Sequence, residues 1–174
     1  GDAEIDKAAE KALFDSKQPH EIMDFFPTGS DERQFCSPGF NLPVGSLMRT
    51  PYGRFSEYHT SADDLNFVTS ENLANTFEKY VDVIFIIENN ATYLNRNPKC
   101  EPQLGKRGLY EAIGGRKKRD NITVALFWVL SFSDGKNSIL DIAIRSGLPF
   151  KEIKDAADAL FQKDLLEKVE KTKN

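Results

Sequence analysis

Hydrophobic residues near the start of the chain recur every three or four positions, the spacing of one face of an amphipathic helix. These residues are Ile5, Ala8, Ala9, Ala12 and Leu13. Because proline cannot continue a helix, this first helix is predicted to end before Pro19.

A second helical pattern begins at Asn72 and is stopped by Pro98, and Thr69 and Ser70 are candidate N-caps ahead of it. Its apolar positions are Leu73, Phe77, Val81, Ile84, Ile87, Ala91 and Leu94. The centre, Val83–Ile87, is apolar nearly all round, which favours burial against a sheet on one side and another element on the other. A helix packed in a bundle fits the pattern equally well.

The segment between these helices, Gln18–Asp64, has a different character, since prolines and glycines divide it into short apolar pieces. The best strand candidates are Val44–Met48 and Ile22–Phe26. We therefore predict a loop-rich segment there and an α/β fold class for the chain.

A second composition begins after the turn-rich stretch Pro98–Gly115. Three short helices are predicted there, joined by tight turns: Ile122–Phe132, Ser138–Arg145 and Lys151–Gln162. The last leads into Leu165–Val169, which is typical of a helix-turn-helix with the beginning of a wing. We place the domain boundary near Arg116–Asp120, so that the first domain covers residues 1–115 and the winged helix-turn-helix covers residues 120–174.

Composition narrows the class of protein. No apolar run approaches the roughly 18 residues of a membrane span, because the most apolar stretch, Val81–Ile87, already contains Asp82. The acidic, alanine-rich start Gly1–Glu10 is no secretory signal. With only Cys36 and Cys100, a disulfide framework is excluded. We expect a cytoplasmic protein without a membrane partner.

The net charge of −4 and a pI of about 5.3 argue against a protein that binds duplex DNA. The basic cluster Gly115–Arg119 is short, and we interpret it as a solvated linker. The predicted recognition helix carries charges that nearly cancel: Lys151, Glu152, Lys154, Asp155 and Asp158. We therefore expect no nucleic-acid partner and interpret the module as a protein-contact or structural element.

Candidate chemistry is concentrated in Gly29–Val68, where polar side chains lie among glycines and prolines. The chemically versatile residues are Asp31, Glu32, Arg33, Tyr52, Tyr58, His59, Asp63 and Asp64. Taken alone, a single histidine flanked by carboxylates is weak evidence for a metal site, since such a histidine is more often structural.

The order of these motifs resembles the closing section of the co-catalytic zinc aminopeptidase superfamily, which glutaminyl cyclases share. Ser30–Asp31 precedes an apolar strand candidate, and Tyr58–Thr60 with Asp63 stands ahead of the long helix. Phe35 matches the aromatic of the first motif, whereas Glu32 stands where histidine is common. The strings GSDERQFCSPG, EYHTSADDL and CEPQLGKRGLY resemble a narrower branch, bacterial aminopeptidase-like proteins associated with polysaccharide biosynthesis, which end in a winged helix.

This resemblance implies a zinc site in which His59 is the last metal ligand. A zinc pair would bridge a hydroxide and polarise the carbonyl of a peptide or amide substrate. Asp63 would orient the imidazole, and Asp31, Glu32 and Tyr58 would line the pocket. By the family's layout, the other ligands and the general base lie upstream of this segment. The chain alone is therefore predicted to hold no catalytic residue and to be inactive.

Other interpretations stay open. Asp63 and Asp31 would also serve as plain turn residues, His20 is predicted to be a surface or capping residue, and Cys36 a small buried thiol. The chain could instead be a winged-helix binding or regulatory protein, or part of a non-catalytic, peptidase-like binding module. Strand edges and apolar surface left uncovered would favour self-association.

Overall fold

The computed structural model describes residues 1–110 and 121–170. The chain divides into two compact units, Gly1–Glu88 and Asn89–Asn174. The sequence placed this division near residues 116–120, which lie outside the described part of the chain. The observed division comes earlier because the segment after Glu88 contains a strand, Thr92–Asn95, that pairs with two strands of the second unit.

The first unit contains three helices: α1 (Glu4–Ser16), α2 (Asp31–Phe35) and α3 (Ser70–Asn89). The prediction for α1 is confirmed, and the helix ends at Lys17, whose φ of 56° reverses the chain. Thr69 caps α3, since its Oγ1 accepts a hydrogen bond from the backbone N–H of Asn72 at 3.2 Å. No helix in the described residues is long and apolar enough to cross a membrane.

Both strand predictions for the first unit are wrong, because residues 1–88 contain no strand. A strand exists only where a neighbouring backbone pairs with it, and neither Ile22–Phe26 nor Val44–Met48 has such a neighbour. The second segment is instead approached by side chains: Cys36 Sγ donates to the carbonyl of Val44 at 3.4 Å, and Tyr80 Oη to that of Leu47 at 3.3 Å. The expected α/β segment is therefore a set of helices and loops.

The second unit alternates short strands and helices: β1 (Thr92–Asn95), a 3-10 helix (Gly105–Arg107), α4 (Asn121–Phe132), β2 (Asp134–Ser138), α5 (Ile139–Ser146), α6 (Phe150–Gln162) and β3 (Leu166–Lys168). The three predicted helices and the start of a wing are confirmed. The strands form one antiparallel sheet in the order β2-β1-β3. Two strands were missed: the sequence interpreted the start of β2 as a turn and assigned β1 to the end of the long helix.

Hydrogen bonds hold the sheet to the helices of this unit. Asn95 of β1 donates its backbone N–H to Ser133 at 2.7 Å and its side-chain amide to the carbonyl of Leu130 at 2.8 Å, which ties β1 to the end of α4. Ser138 caps α5 through a reciprocal arrangement with Asp141. These bonds provide partners for the carbonyl of Leu130 at the end of α4 and for the backbone N–H of Asp141 at the start of α5.

The core of the second unit lies where α4 and α5 pack on α6. Its largest fully buried side chains within the described residues are Phe150, Leu104, Leu126, Ile139, Leu140, Ile142, Ile153, Leu160 and Val129. Fully buried alanines, such as Ala143 and Ala157, let the helix backbones approach closely. This unit therefore has a closed hydrophobic core of its own.

Asp134 at the start of β2 gives a test of pH dependence. Backbone N–H groups of Asn137 and Lys136 donate to its carboxylate and hold its pKa below the ordinary value. A lowered pKa stabilises the fold at pH values above the unfolded pKa of about 3.9, and this contribution disappears as the pH falls through the folded pKa. We expect the second unit to lose stability below about pH 4 in the wild type and less so in Asp134→Asn.

The measurement is urea unfolding at several pH values, followed by the fluorescence of Trp128, the sole tryptophan. Asparagine keeps an oxygen acceptor for the same turn but cannot titrate, so it is the matched control. Identical pH profiles of wild type and variant would contradict this role of Asp134.

Candidate functional site

His59 lies in the loop between α2 and α3, with its side chain exposed to solvent. Its backbone is left-handed, with φ of 59°, a conformation that is uncommon for a residue with a side chain. The imidazole stacks on the ring of Tyr58, with the ring centroids 4.0 Å apart and the planes 18° from parallel. The ring is thus outside any apolar core, and its orientation is set by the neighbouring tyrosine.

An aromatic cluster formed by Tyr52, Phe55, Tyr58 and Phe67 supports this loop. Tyr58 lies 6.0 Å from Tyr52 and 5.5 Å from Phe55, centroid to centroid, and Phe55 stacks on Phe67 at 5.6 Å. Such contacts stabilise a loop that has no regular secondary structure. The sequence analysis missed Phe55 and Phe67, although their presence in a segment rich in glycine and proline was a usable signal.

Glu32 of α2 meets the aromatic cluster through Tyr52, whose hydroxyl donates to Glu32 Oε1 at 3.3 Å. The pKa of Glu32 is held below its ordinary value, chiefly by a hydrogen bond from its own backbone N–H and further by Ser46 and Tyr52. The carboxylate also lies against Gly29, where an added methyl group would overlap it. A chain of contacts through Tyr52 and Tyr58 therefore links the carboxylate of Glu32 to His59.

Asp63 and Asp31 are less closely associated with His59. Asp63 closes the turn that begins at Thr60, since its backbone N–H donates to the carbonyl of Thr60 at 3.2 Å. The next residue, Asp64, accepts hydrogen bonds from the backbone N–H groups of Asn66 and Phe67, which lowers the pKa of Asp64. Asp31 is the exposed first residue of α2.

The described residues contain no group of three or more histidine, cysteine, aspartate or glutamate side chains close enough to hold a metal ion. His20, the other histidine, is exposed, and its Nδ1 lies 2.9 Å from the carbonyl of Gln18, as expected of a surface residue. Cys36 was predicted to be buried but is half-buried, and its Sγ donates to the carbonyls of Leu42 and Val44. A metal at His59 would need ligands beyond those this part of the chain brings together.

A separate groove of about 710 Å³ lies beside the first turns of α3, and none of the predicted site residues lines it. Arg49 and Asn75 both line this groove, and the guanidinium of Arg49 donates to Asn75 Oδ1 at 2.9 Å. The other lining residues are Gln18, Pro19, Glu71, Asn72, Ala74 and Glu78.

A family model described as a domain of unknown function (DUF4910) matches residues 1–90, just over half of the chain. The chain belongs to this family. A second model, described as a winged helix-turn-helix, matches residues 91–168, so that the DUF4910 domain and the winged helix meet close to the division between the two units. All of the predicted site residues fall in the DUF4910 domain.

A relative in Clostridium acetobutylicum is 59% identical over 169 residues and is named as a polysaccharide biosynthesis protein with an aminopeptidase-like domain. A crystal structure from the same organism, of a protein named as a peptidase, is 56% identical and superposes with a TM-score of 0.87. Each alignment covers 97% of this chain, but only 39% of the relative and 37% of the crystallised chain. The chain thus spans about two fifths of the length of the proteins it matches.

Proposed function

We propose that this chain is part of a zinc-dependent, aminopeptidase-like hydrolase that acts on peptide or amide bonds. The observation that carries the proposal is the 59% identity, over nearly the whole chain, to a relative named for an aminopeptidase-like domain. The two free cysteines fit a reducing, cytoplasmic setting for such a protein.

In this proposal His59 supplies one metal ligand. Its imidazole is accessible, and stacking on Tyr58 restricts the directions in which its ring nitrogens point, which favours binding of a metal from a fixed side. Neutral imidazole nitrogen is a preferred zinc ligand. Zinc, when bound, would polarise the substrate carbonyl and lower the pKa of a bound water.

The remaining residues take supporting roles in the proposal. The carboxylate of Glu32, which accepts a hydrogen bond from Tyr52, and the hydroxyl of Tyr58, whose ring stacks on His59, would offer polar contacts to a substrate amine or amide. Asp63 and Asp31 stay candidates for the outer part of the same pocket. One imidazole does not complete a zinc site, because such sites need about three protein ligands, so the others would come from the rest of the longer protein.

Metal analysis of the complete protein and of this chain alone tests the proposal. We expect the complete protein to carry zinc and to hydrolyse aminoacyl amides, with both zinc and activity lost after chelation and restored by added zinc. This chain alone is expected to bind no stoichiometric zinc by calorimetry. Chelator-resistant hydrolysis by a metal-free complete protein, or tight zinc binding by this chain, would count against the assignment.

We also propose that the winged helix contacts protein rather than DNA. The observation that favours this role is on α6, where Lys151 pairs with Asp155 at 2.6 Å and Lys154 pairs with Asp158. Because both lysines are neutralised within the helix, they offer little attraction to phosphates.

The DNA prediction is tested by gel shift with random and AT-rich duplexes at low and moderate salt. We expect no salt-sensitive shift at micromolar protein. The variant Asp155→Asn with Asp158→Asn frees both lysines and is the positive comparison, which should gain weak, salt-sensitive binding. A shift by the wild type that salt abolishes would restore a DNA-binding role.

A further inference from the structure

The long helix α3 carries a stripe of exposed apolar side chains. Leu73, Phe77, Val81 and Ile84 are 59%, 68%, 47% and 57% exposed. At 100° per residue these four positions lie within about 80° of the helix circumference, so they form one continuous strip, here called the α3 stripe. Val83 and Ile86, which the same geometry places about 120° and 180° from the centre of the stripe, are buried.

The DUF4910 unit as a whole is deficient in buried apolar residues. Within residues 1–88 the buried apolar side chains are Ala8, Ala12, Val83 and Ile86. The second unit, in contrast, encloses large side chains such as Leu126, Ile142 and Phe150 in a closed core. A soluble domain rarely leaves a continuous apolar strip open to water, so the α3 stripe indicates a contact surface.

A second uncovered element in the same unit indicates what kind of partner is needed. Ile22, Met23, Phe25 and Phe26 are 55%, 52%, 57% and 69% exposed, and their backbone pairs with no strand. Apolar residues on both faces of an extended segment are typical of a strand in the middle of a sheet covered on both sides. The partner therefore has to supply both strand neighbours and a layer for the helix.

We propose that the α3 stripe is the surface on which the rest of the longer protein packs, and that residues 22–26 pair with a sheet in that same part. Relatives extend well beyond the match, since this chain covers 39% of one and 37% of another. A continuing domain provides a sheet edge and an apolar layer together. In a two-fold dimer, the α3 stripe and residues 22–26 would have to be covered by the same two surfaces of the second copy. The second copy would therefore bring no new sheet edge and no new apolar layer.

This proposal rests on one part of the proposed function, that the chain belongs to a longer protein, and does not depend on zinc. The test is the rate at which an introduced thiol is labelled, measured in the complete protein and in this chain. Both proteins also carry Cys36→Ser and Cys100→Ser, which remove the two native thiols of this chain. Phe77→Cys is expected to react quickly in this chain and on the order of tenfold or more slowly in the complete protein, where the thiol reacts only on local opening. The control Ile144→Cys, on the exposed face of α5, is expected to react equally fast in both, since Ile144 is 46% exposed.

Two outcomes of the labelling experiment would overturn the proposal. Equal labelling of Phe77→Cys in both proteins would mean that the stripe stays open. Protection of the complete protein that disappears on dilution would mean that a second copy covers it. Hydrogen exchange of α3 and residues 22–26 in the two unsubstituted proteins gives the same comparison if Phe77→Cys prevents folding. A complete protein without zinc that still protects the stripe would refute the metal assignment alone.

Discussion

Ile142→Ala is expected to destabilise the winged-helix unit by about 2–5 kcal/mol, the range for truncating a buried isoleucine. Ile142 is 1% exposed on α5, and α5 packs on α6. Removing its branched side chain loses both apolar burial and packing contacts, because the close helix contacts around it limit how far the neighbours can fill the cavity. Urea unfolding followed by Trp128 fluorescence measures the change, since Trp128 lies in α4 of this unit.

Ile144→Ala is the matched control for this experiment. It makes the same substitution two residues further along the same helix, where the side chain is 46% exposed. Its expected effect is within about 0.5 kcal/mol, because a surface change loses little burial and alanine favours the helix. Equal destabilisation by the two substitutions would show that α5 does not present Ile142 to the core.

His59→Asn in the complete protein is expected to lower zinc affinity by more than about 100-fold, with a corresponding loss of amide hydrolysis. Loss of a residue that merely supports a ligand costs about 10–100-fold, so loss of a ligand should cost more. Asparagine is preferred to alanine because it tolerates the left-handed backbone at this position, where φ is 59°. The measurements are zinc content after dialysis against a buffered chelator and the rate of aminoacyl amide hydrolysis.

His20→Asn is the control, since His20 is the other histidine and is an exposed surface residue. It should leave zinc content and activity unchanged. Full zinc content in His59→Asn would remove His59 from the metal site. If the family assignment then survived, the non-catalytic binding interpretation would become the stronger one.

Elements with a strong local signal were predictable from the sequence. The apolar spacing of α1 and the glycine-punctuated pattern of α4, α5 and α6 depend on contacts close in sequence. The same is true of the exposed His20 and the capped start of α3 at Thr69. Here local propensity and the final fold agree, so the sequence pattern was sufficient.

Strands were not predictable in this way: some that form were missed, and some that were predicted do not form. Leu94 continued the helical pattern of α3, yet it lies in β1 because backbones distant in sequence, at Asp134 and Glu167, pair with it. Ile22–Phe26 has the composition of a strand but forms none, since the described chain brings it no neighbour. A β-strand forms only when two backbone segments pair, and the composition of one segment contains no information about its partner.

At the candidate site, motif order along the chain was enough to identify the chemical groups: one histidine, the carboxylates of Asp31, Glu32 and Asp63, and a neighbouring tyrosine. Which of these groups contact one another depends on the folded chain. The tertiary structure placed Glu32 beside the loop of His59 through Tyr52 and Tyr58, and gave Asp64 the turn hydrogen bonds. The physical reason is that side-chain hydrogen bonds and ring contacts depend on distances across the fold, whereas motif spacing records only distance along the chain.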